Sequence, residues 1–347
     1  MYNKNPFTLM YGIPATSIIS RDDALNTIQN AFLTNDNMYM FLITGIRGTG
    51  KTVLLRKAFD IFSLEKNWMA IDINPQGNII ESIANKLVSS AKSQKLLEGW
   101  SLSINLPYVT ISKDQTKKID DPEIIIQEIL TKFSTHNKKL LITIDEVNNT
   151  SELKKFANFY QSLLGSKLPV YLLMTGLKEN INSIINDRAM TFLSRAPKIE
   201  LDPLDMPTIA LEYKQIFGIE KTTAIDMAKL TNGYAFAYQV LGYLFYEDDK
   251  KILDENFLNK YDSYLWKNGY NKFWNDLTSV EKKFVIALAK AQDGTKEEII
   301  KSFSASSYSQ YRKILLEKGL IIQLGYNHLS FVLPRFREFV LYAQDFE

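Results

Sequence analysis

Through the first two hundred residues, short apolar runs alternate with stretches in which apolar side chains recur every three or four positions. That is the pattern of strands separated by amphipathic helices. The runs Tyr39 to Thr44, Trp68 to Ile73, Leu140 to Ile144, Val170 to Met174 and Lys198 to Leu201 predict five strands. Between them, Arg21-Asp22-Asp23 opens a helix, capped by Ser20, with Ala24, Leu25, Ile28, Ala31 and Phe32 on one face. Helices are also expected from Val53 onward, over Ile79 to Leu96, from Pro122 to about Phe133 and from about Ser151 to Leu164. Pro122 suits a first helical turn, where its missing N–H costs nothing. Strands alternating with helices argue a parallel sheet with helices on both faces. Residues 1 to 20 lack periodicity and read as an irregular arm. On either side of Pro107, Leu102 to Leu106 and Tyr108 to Ile111 alternate as an inserted β-hairpin would.

After Pro203 the strands stop. Met206 to Phe217, Thr222 to Leu230, Phe236 to Tyr246 and Phe257 to Lys267 carry helical periodicity, which predicts a small helical domain over residues 203–270. The final stretch changes again. Thr278-Ser279-Val280-Glu281 and Thr295-Lys296-Glu297-Glu298 fit the capping box, and Ser307-Tyr308-Ser309-Gln310 fits its glutamine form. The third of these helices would bury Tyr308, Tyr311, Ile314 and Leu315 and stop at Gly319. Leu320 to Leu324 and His328 to Leu333 then read as two strands. Three helices followed by a hairpin is the order of a winged helix, here residues 271–347. Residues 1–202 form the α/β part.

Between the first strand and its helix lies Gly45-Ile46-Arg47-Gly48-Thr49-Gly50-Lys51-Thr52, followed by Val53. This is the phosphate-binding loop pattern G-x-x-x-x-G-K-[ST] in its confirming context of strand, glycine loop and helix. Glycines let successive N–H groups turn inward toward polyphosphate, at the positive end of the helix. Lys51 would reach the β- and γ-phosphates, and Thr52 would give its hydroxyl to magnesium. ATP and Mg²⁺ are therefore the expected cofactors.

Composition narrows the classes. With 347 residues, 46% hydrophobic and 12% aromatic, the chain has core material for two or three domains. A net charge of +2 lacks the overall basic excess typical of nucleic-acid binders, so any DNA contact is local. Zero cysteines and two histidines, His136 and His328, exclude disulfides, thiol catalysis and a Cys/His zinc site. The reading is of a cytoplasmic protein with no membrane partner.

A phosphate loop needs an acidic partner. Leu140 to Ile144 delivers Asp145 and Glu146 at a strand's carboxyl end, where ligands of open α/β sheets bind. Asp145 would hold magnesium; Glu146 would orient or deprotonate the attacking water. Thr175, ending the neighbouring strand, could bond the γ-phosphate or that water. Arg188 and Arg195 lie where a charge-stabilising arginine would stand, and Arg195 is the choice. Whether it acts within its own subunit or on a neighbour stays open. On the third helix of the winged helix, Ser309, Gln310, Arg312 and Lys313, with Arg335 and Arg337 after the hairpin, suit contacts to double-stranded DNA. The competing reading is a module that binds protein or drives homo-oligomerisation. A small-molecule kinase is a weaker third class, since it needs neither the acidic pair nor a winged helix.

The chain resembles the AAA+ and STAND branch of P-loop ATPases, and within it prokaryotic ATPases that look like archaeal origin-recognition initiators. The matching stretches are Asn5-Pro6-Phe7-Thr8, Tyr11-Gly12 and Arg21, Gly45 to Thr52, Asp145-Glu146, Thr175-Gly176-Leu177, Arg195-Ala196, Ile199 to Leu204, Gly233-Tyr234-Ala235 and Leu333-Pro334-Arg335-Phe336. The resemblance implies that the arm with Arg21 and the helical lid enclose the adenine, and that the lid reports nucleotide state to the winged helix. Ser20 stands where the family often has glycine, and Ala235 where it often has proline.

Overall fold

A computed structural model describes residues 4–9, 15–34, 38–93, 121–325 and 327–346. The expected 102–111 hairpin lies outside the described residues. The chain divides into two compact units, one of residues 21–44 and 51–200, the other of residues 1–20, 45–50 and 201–347.

The first of these is the α/β unit. Its elements run α1 (Asp22–Thr34), β1 (Met40–Thr44), α2 (Lys51–Leu64), β2 (Trp68–Ile73), α3 (Ile79–Ser93), α4 (Pro122–Thr135), β3 (Lys139–Ile144), α5 (Ser151–Gly165), β4 (Val170–Gly176), α6 (Lys178–Ile185), a 3₁₀ segment (Arg188–Arg195) and β5 (Lys198–Glu200). The strands form one parallel sheet in the order β2-β3-β4-β1-β5, flanked by helices. β4 is buried along its whole length, as a central strand covered on both faces must be. It runs two residues beyond the predicted Met174, so Thr175 and Gly176 pair with Ile43 and Thr44 of β1. The core is chiefly aliphatic, with Leu42, Ile71, Leu140, Ile142, Leu172 and Met174 from the strands meeting Ile83, Leu87, Ile126, Ile129 and Phe156 from the helices. Asp121 caps α4 by accepting from the Glu123 N–H at 2.9 Å, with Pro122 in the first turn as predicted.

The other unit is helical: α7 (Met206–Phe217), α8 (Lys221–Thr231), α9 (Ala235–Glu247), α10 (Glu255–Leu265), a π-turn (Trp266–Tyr270), α11 (Asn271–Asn275), α12 (Ser279–Lys290), α13 (Lys296–Ile299), α14 (Tyr308–Glu317), β6 (Ile321–Gln323), β7 (Leu329–Phe331) and α15 (Phe336–Ala343). β6 and β7 pair antiparallel, so three helices and a hairpin follow in the expected order. The arm belongs here. Phe7 is buried against Tyr213, Phe217 and Tyr238, and the Thr8 N–H donates to Gln239 Oε1 at 3.1 Å.

The three predicted capping boxes fare differently. Thr278 and Glu281 make both reciprocal bonds, at 3.3 and 2.7 Å. At Thr295 and Ser307 the helices start as expected, but neither side chain caps. Glu298 instead accepts from the Gln292 and Asp293 N–H groups, and Ser307 is already helical at φ −94°, ψ −9°. A box pattern offers the bonds; the preceding loop decides whether the geometry is reached.

Candidate nucleotide site

In the α/β unit, β3 ends on Asp145, half-buried, and the chain turns at once through Glu146, which is exposed. Glu146 has φ +54°, a conformation non-glycine residues rarely adopt and which concentrates at functional sites. The Glu146 N–H is shared between Asp145 Oδ1 and Thr175 Oγ1, each at 3.1 Å, and the Val147 N–H donates to the Thr175 carbonyl at 2.8 Å. β4 lies between β1 and β3, which is why Thr175 reaches Asp145. The Thr175 hydroxyl donates to Asp145 Oδ1. On the other side the Thr52 hydroxyl donates to Asp145 Oδ2 at 2.7 Å. Two hydroxyls thus bracket one carboxylate. This is an oxygen-only donor set with the hard chemistry magnesium requires, so Thr52 and Asp145 fit that ion. Lys51, the first residue of α2, is buried, while Val53 is 40% exposed.

The loop Gly45–Gly50 packs with the helical unit. Gly48, at φ +75°, lies directly against the Tyr234 ring, whose hydroxyl would overlap any Cβ placed there. The Phe236 N–H, from the first turn of α9, donates to the Gly48 carbonyl at 3.1 Å. Ile46 packs on Gly319, Arg47 pairs with Asp276 at 3.7 Å, and Thr49 Oγ1 donates to the Ile46 carbonyl at 2.9 Å. Every one of the loop's variable positions except Thr49 therefore meets residues more than 180 positions away. Sequence spacing carries no signal of this.

Arg195 ends the 3₁₀ segment, exposed and with no ion pair among the described residues; Arg188 is exposed at its start. Neither is brought against Asp145 or Glu146. Arg21 stands just before α1, where its carbonyl accepts from the Leu25 N–H. Sequence reading missed Asp187, the residue that caps the 3₁₀ segment. Its only sequence signal is an Asp immediately preceding a helical run.

In the helical unit, Ser309, Gln310 and Lys313 of α14 are exposed as predicted. Arg335 is not free for DNA, and Arg337, though exposed, is engaged at its Nε. Arg335 donates two bonds to the buried Asp262 and lies 3.5 Å from Glu338, and Arg337 Nε donates to the Ala289 carbonyl at 2.8 Å. Arg312 is bonded to Gln323. Both arginines follow the hairpin, where adjacent sequence gives no hint of partners 73 and 48 residues earlier. From Gly319 to Pro334 there is no Lys or Arg, and Ile322 and Leu324 are 41% and 55% exposed.

A family model described as "Domain of unknown function (DUF8462)" matches residues 267–340. No curated protein matches the chain in sequence. Among solved structures, the Aeropyrum pernix ORC2 protein in its ADPNP-ADP complexes is similar at a TM-score of 0.58 and 12% identity, covering 94% of each chain. Its ADP form is similar at 0.52 and 14%, covering 96% of each. Cdc6p from Pyrobaculum aerophilum is 14% identical at a TM-score of 0.49, covering 97% of this chain and 98% of that one. No helix among the described residues is long and apolar enough to cross a membrane. Over nearly its whole length the chain has the fold of the Aeropyrum pernix ORC2 structures.

Proposed function

We propose that this chain is a cytoplasmic Mg-ATP-dependent switch, a slow ATPase whose nucleotide state is read by its carboxy-terminal residues. The observation that carries this reading is the grip on the phosphate loop by Tyr234, Phe236, Asp276 and Gly319. A loop so held cannot change with its ligand without moving what holds it. In the proposed reaction the loop N–H groups and Lys51 hold the ATP phosphates, and Thr52 with Asp145 holds magnesium, which would neutralise charge on the transferring phosphoryl group. Glu146 orients the attacking water and accepts its proton. Thr175 bonds the γ-phosphate or that water, and Arg195 supplies positive charge to a γ-phosphate. The proposed organisation is an ATPase core over 1–202, a lid over 203–270 and a winged helix over 271–347.

For the output, the hairpin favours a protein partner or a second copy. Its exposed Ile322 and Leu324, and its lack of cations, suit an apolar contact better than a phosphate backbone. The DNA reading rests on exposed Ser309, Gln310 and Lys313, and draws on the likeness to origin-recognition folds. Thermal unfolding of wild type and Lys51→Ala with and without Mg-ATP tests the site. Wild type gains about 2.7 kcal/mol at one hundred times Kd and the variant gains nothing; equal gains sink the assignment. Anisotropy with labelled duplex DNA then decides the output. Binding that weakens with salt and responds to ATP selects DNA, and none in any nucleotide state selects the protein partner.

A further inference from the structure

Behind Glu146 the turn is held by two adjacent asparagines, one bonded to the Glu146 carbonyl and the other to Asp187. Asn148 Nδ2 donates to the Glu146 carbonyl at 3.2 Å, and Asn148 Oδ1 accepts from Asn180 Nδ2 of α6. The next residue, Asn149, donates through Nδ2 to Ser183 of α6 and to Asp187 Oδ2 at 3.1 Å. Asp187 divides its two oxygens. Oδ2 also takes the Lys154 ammonium from α5 at 2.8 Å, while Oδ1 accepts from the Ala189 N–H at 2.9 Å and so caps the 3₁₀ segment that ends in Arg195. These bonds hold the carboxyl ionised, down to about 2.

The geometry points to Asp187 as a positioning residue that locks the turn bearing Glu146 and the segment bearing Arg195 to one shared anchor, with Lys154 and Asn149 as its arms. This rests on the ATPase reading above. The base and the arginine then keep fixed places relative to the sheet through the shared carboxylate. Loosening the anchor displaces both without touching the phosphate loop, Thr52 or Asp145. The expected signature is therefore a loss in turnover and not in binding.

The experiment compares the full chain with Asp187→Asn, Lys154→Met, their double variant and Glu146→Gln. It reads steady-state ATP hydrolysis, affinity for a fluorescent ATP analogue, and Tm. Asp187→Asn and Lys154→Met each lower kcat about ten- to a hundredfold, the scale of a misplacement near 1 Å. Nucleotide affinity and Tm stay close to wild type, and the double variant falls no further than the worse single one, because the two share one anchor. Should Asp187→Asn fail to fold, Lys154→Met alone carries the test, since it leaves the cap on Ala189 in place. Unchanged kcat in Lys154→Met overturns the proposal, as does a kcat loss tracked by an equal loss of affinity or by a Tm fall larger than the slight one expected from losing the ionised Asp187 carboxylate. Wild type and Glu146→Gln turning over ATP at one rate, or neither doing so, overturns the ATPase reading itself.

Discussion

The two units bury their polar groups by different means. In the α/β unit the five parallel strands satisfy one another through the backbone ladder, and the side chains between sheet and helices are mostly aliphatic. Among its described residues the helical unit has no ladder beyond its short hairpin and the Thr295–His328 bridge, and it works through tyrosines. Of the five largest fully buried tyrosines among the described residues, four lie there: Tyr213, Tyr238, Tyr261 and Tyr270. Three of them donate to a carbonyl of another element. Tyr213 of α7 donates to Tyr238 at 2.8 Å, Tyr261 of α10 to Leu230 of α8 at 3.0 Å, and Tyr270 to Pro334, just before α15, at 2.5 Å. Burial pushes these phenols well above the usual tyrosine range, so they remain neutral donors. A sheet sets its register by backbone geometry, whereas helices packed by side chains slide unless something pins them. Here the pin is a ring that fills space and a hydroxyl that selects one carbonyl.

That contrast can be broken at graded strengths. Ile142→Ala empties the middle of β3, between Ile71 and Leu172, and costs about 2–5 kcal/mol; urea unfolding that leaves the midpoint unmoved would show the aliphatic layer is not what holds the sheet. Tyr270→Phe keeps the ring and leaves the Pro334 carbonyl without its donor, at a cost of about 1–3 kcal/mol. In that variant amide exchange rises in α15 while the sheet stays protected; a uniform rise in both units contradicts the pin. The smallest effect is electrostatic and confined to the α/β unit. Asp187 has its carboxyl lowered from 3.8 to about 2 by Lys154, the Ala189 N–H and Asn149, in that order. A depressed folded-state value means the contribution is full above the ordinary carboxylate range and disappears as pH falls toward 2. Wild type and Asp187→Asn should therefore differ slightly in Tm at pH 5 and converge near pH 2. A gap that persists at pH 2 removes the ionised carboxylate from the account.

The same contrast explains what could be read in the chain beforehand. Strand runs, the glycine loop and the acids after β3 are local patterns, and all five strands fall where the apolar runs put them. The union of Thr52, Asp145 and Thr175 was legible because sheet order follows from parallel connections, which bring remote strand ends together by rule. The helical unit's elements were legible too, but its pins were not. Nothing near Arg335 announces Asp262, nothing near Gly48 announces Tyr234, and Asn149 looks like a surface turn residue until α6 and Asp187 are placed beside it. The arginines after the hairpin read as DNA contacts because charge is visible in sequence and partnership is not.

Strand β4 also acts as a spacer gauge. Thr44 pairs with Gly176 on one side of it and Ile144 with Met174 on the other. With neighbouring strands about 4.8 Å apart, the roots of the phosphate loop and of the acidic turn stand roughly 10 Å from each other. That separation is written in peptide hydrogen bonds and needs no particular side chain to maintain it. Most side chains around it can therefore change while the interval between the two strand ends stays as the backbone ladder sets it.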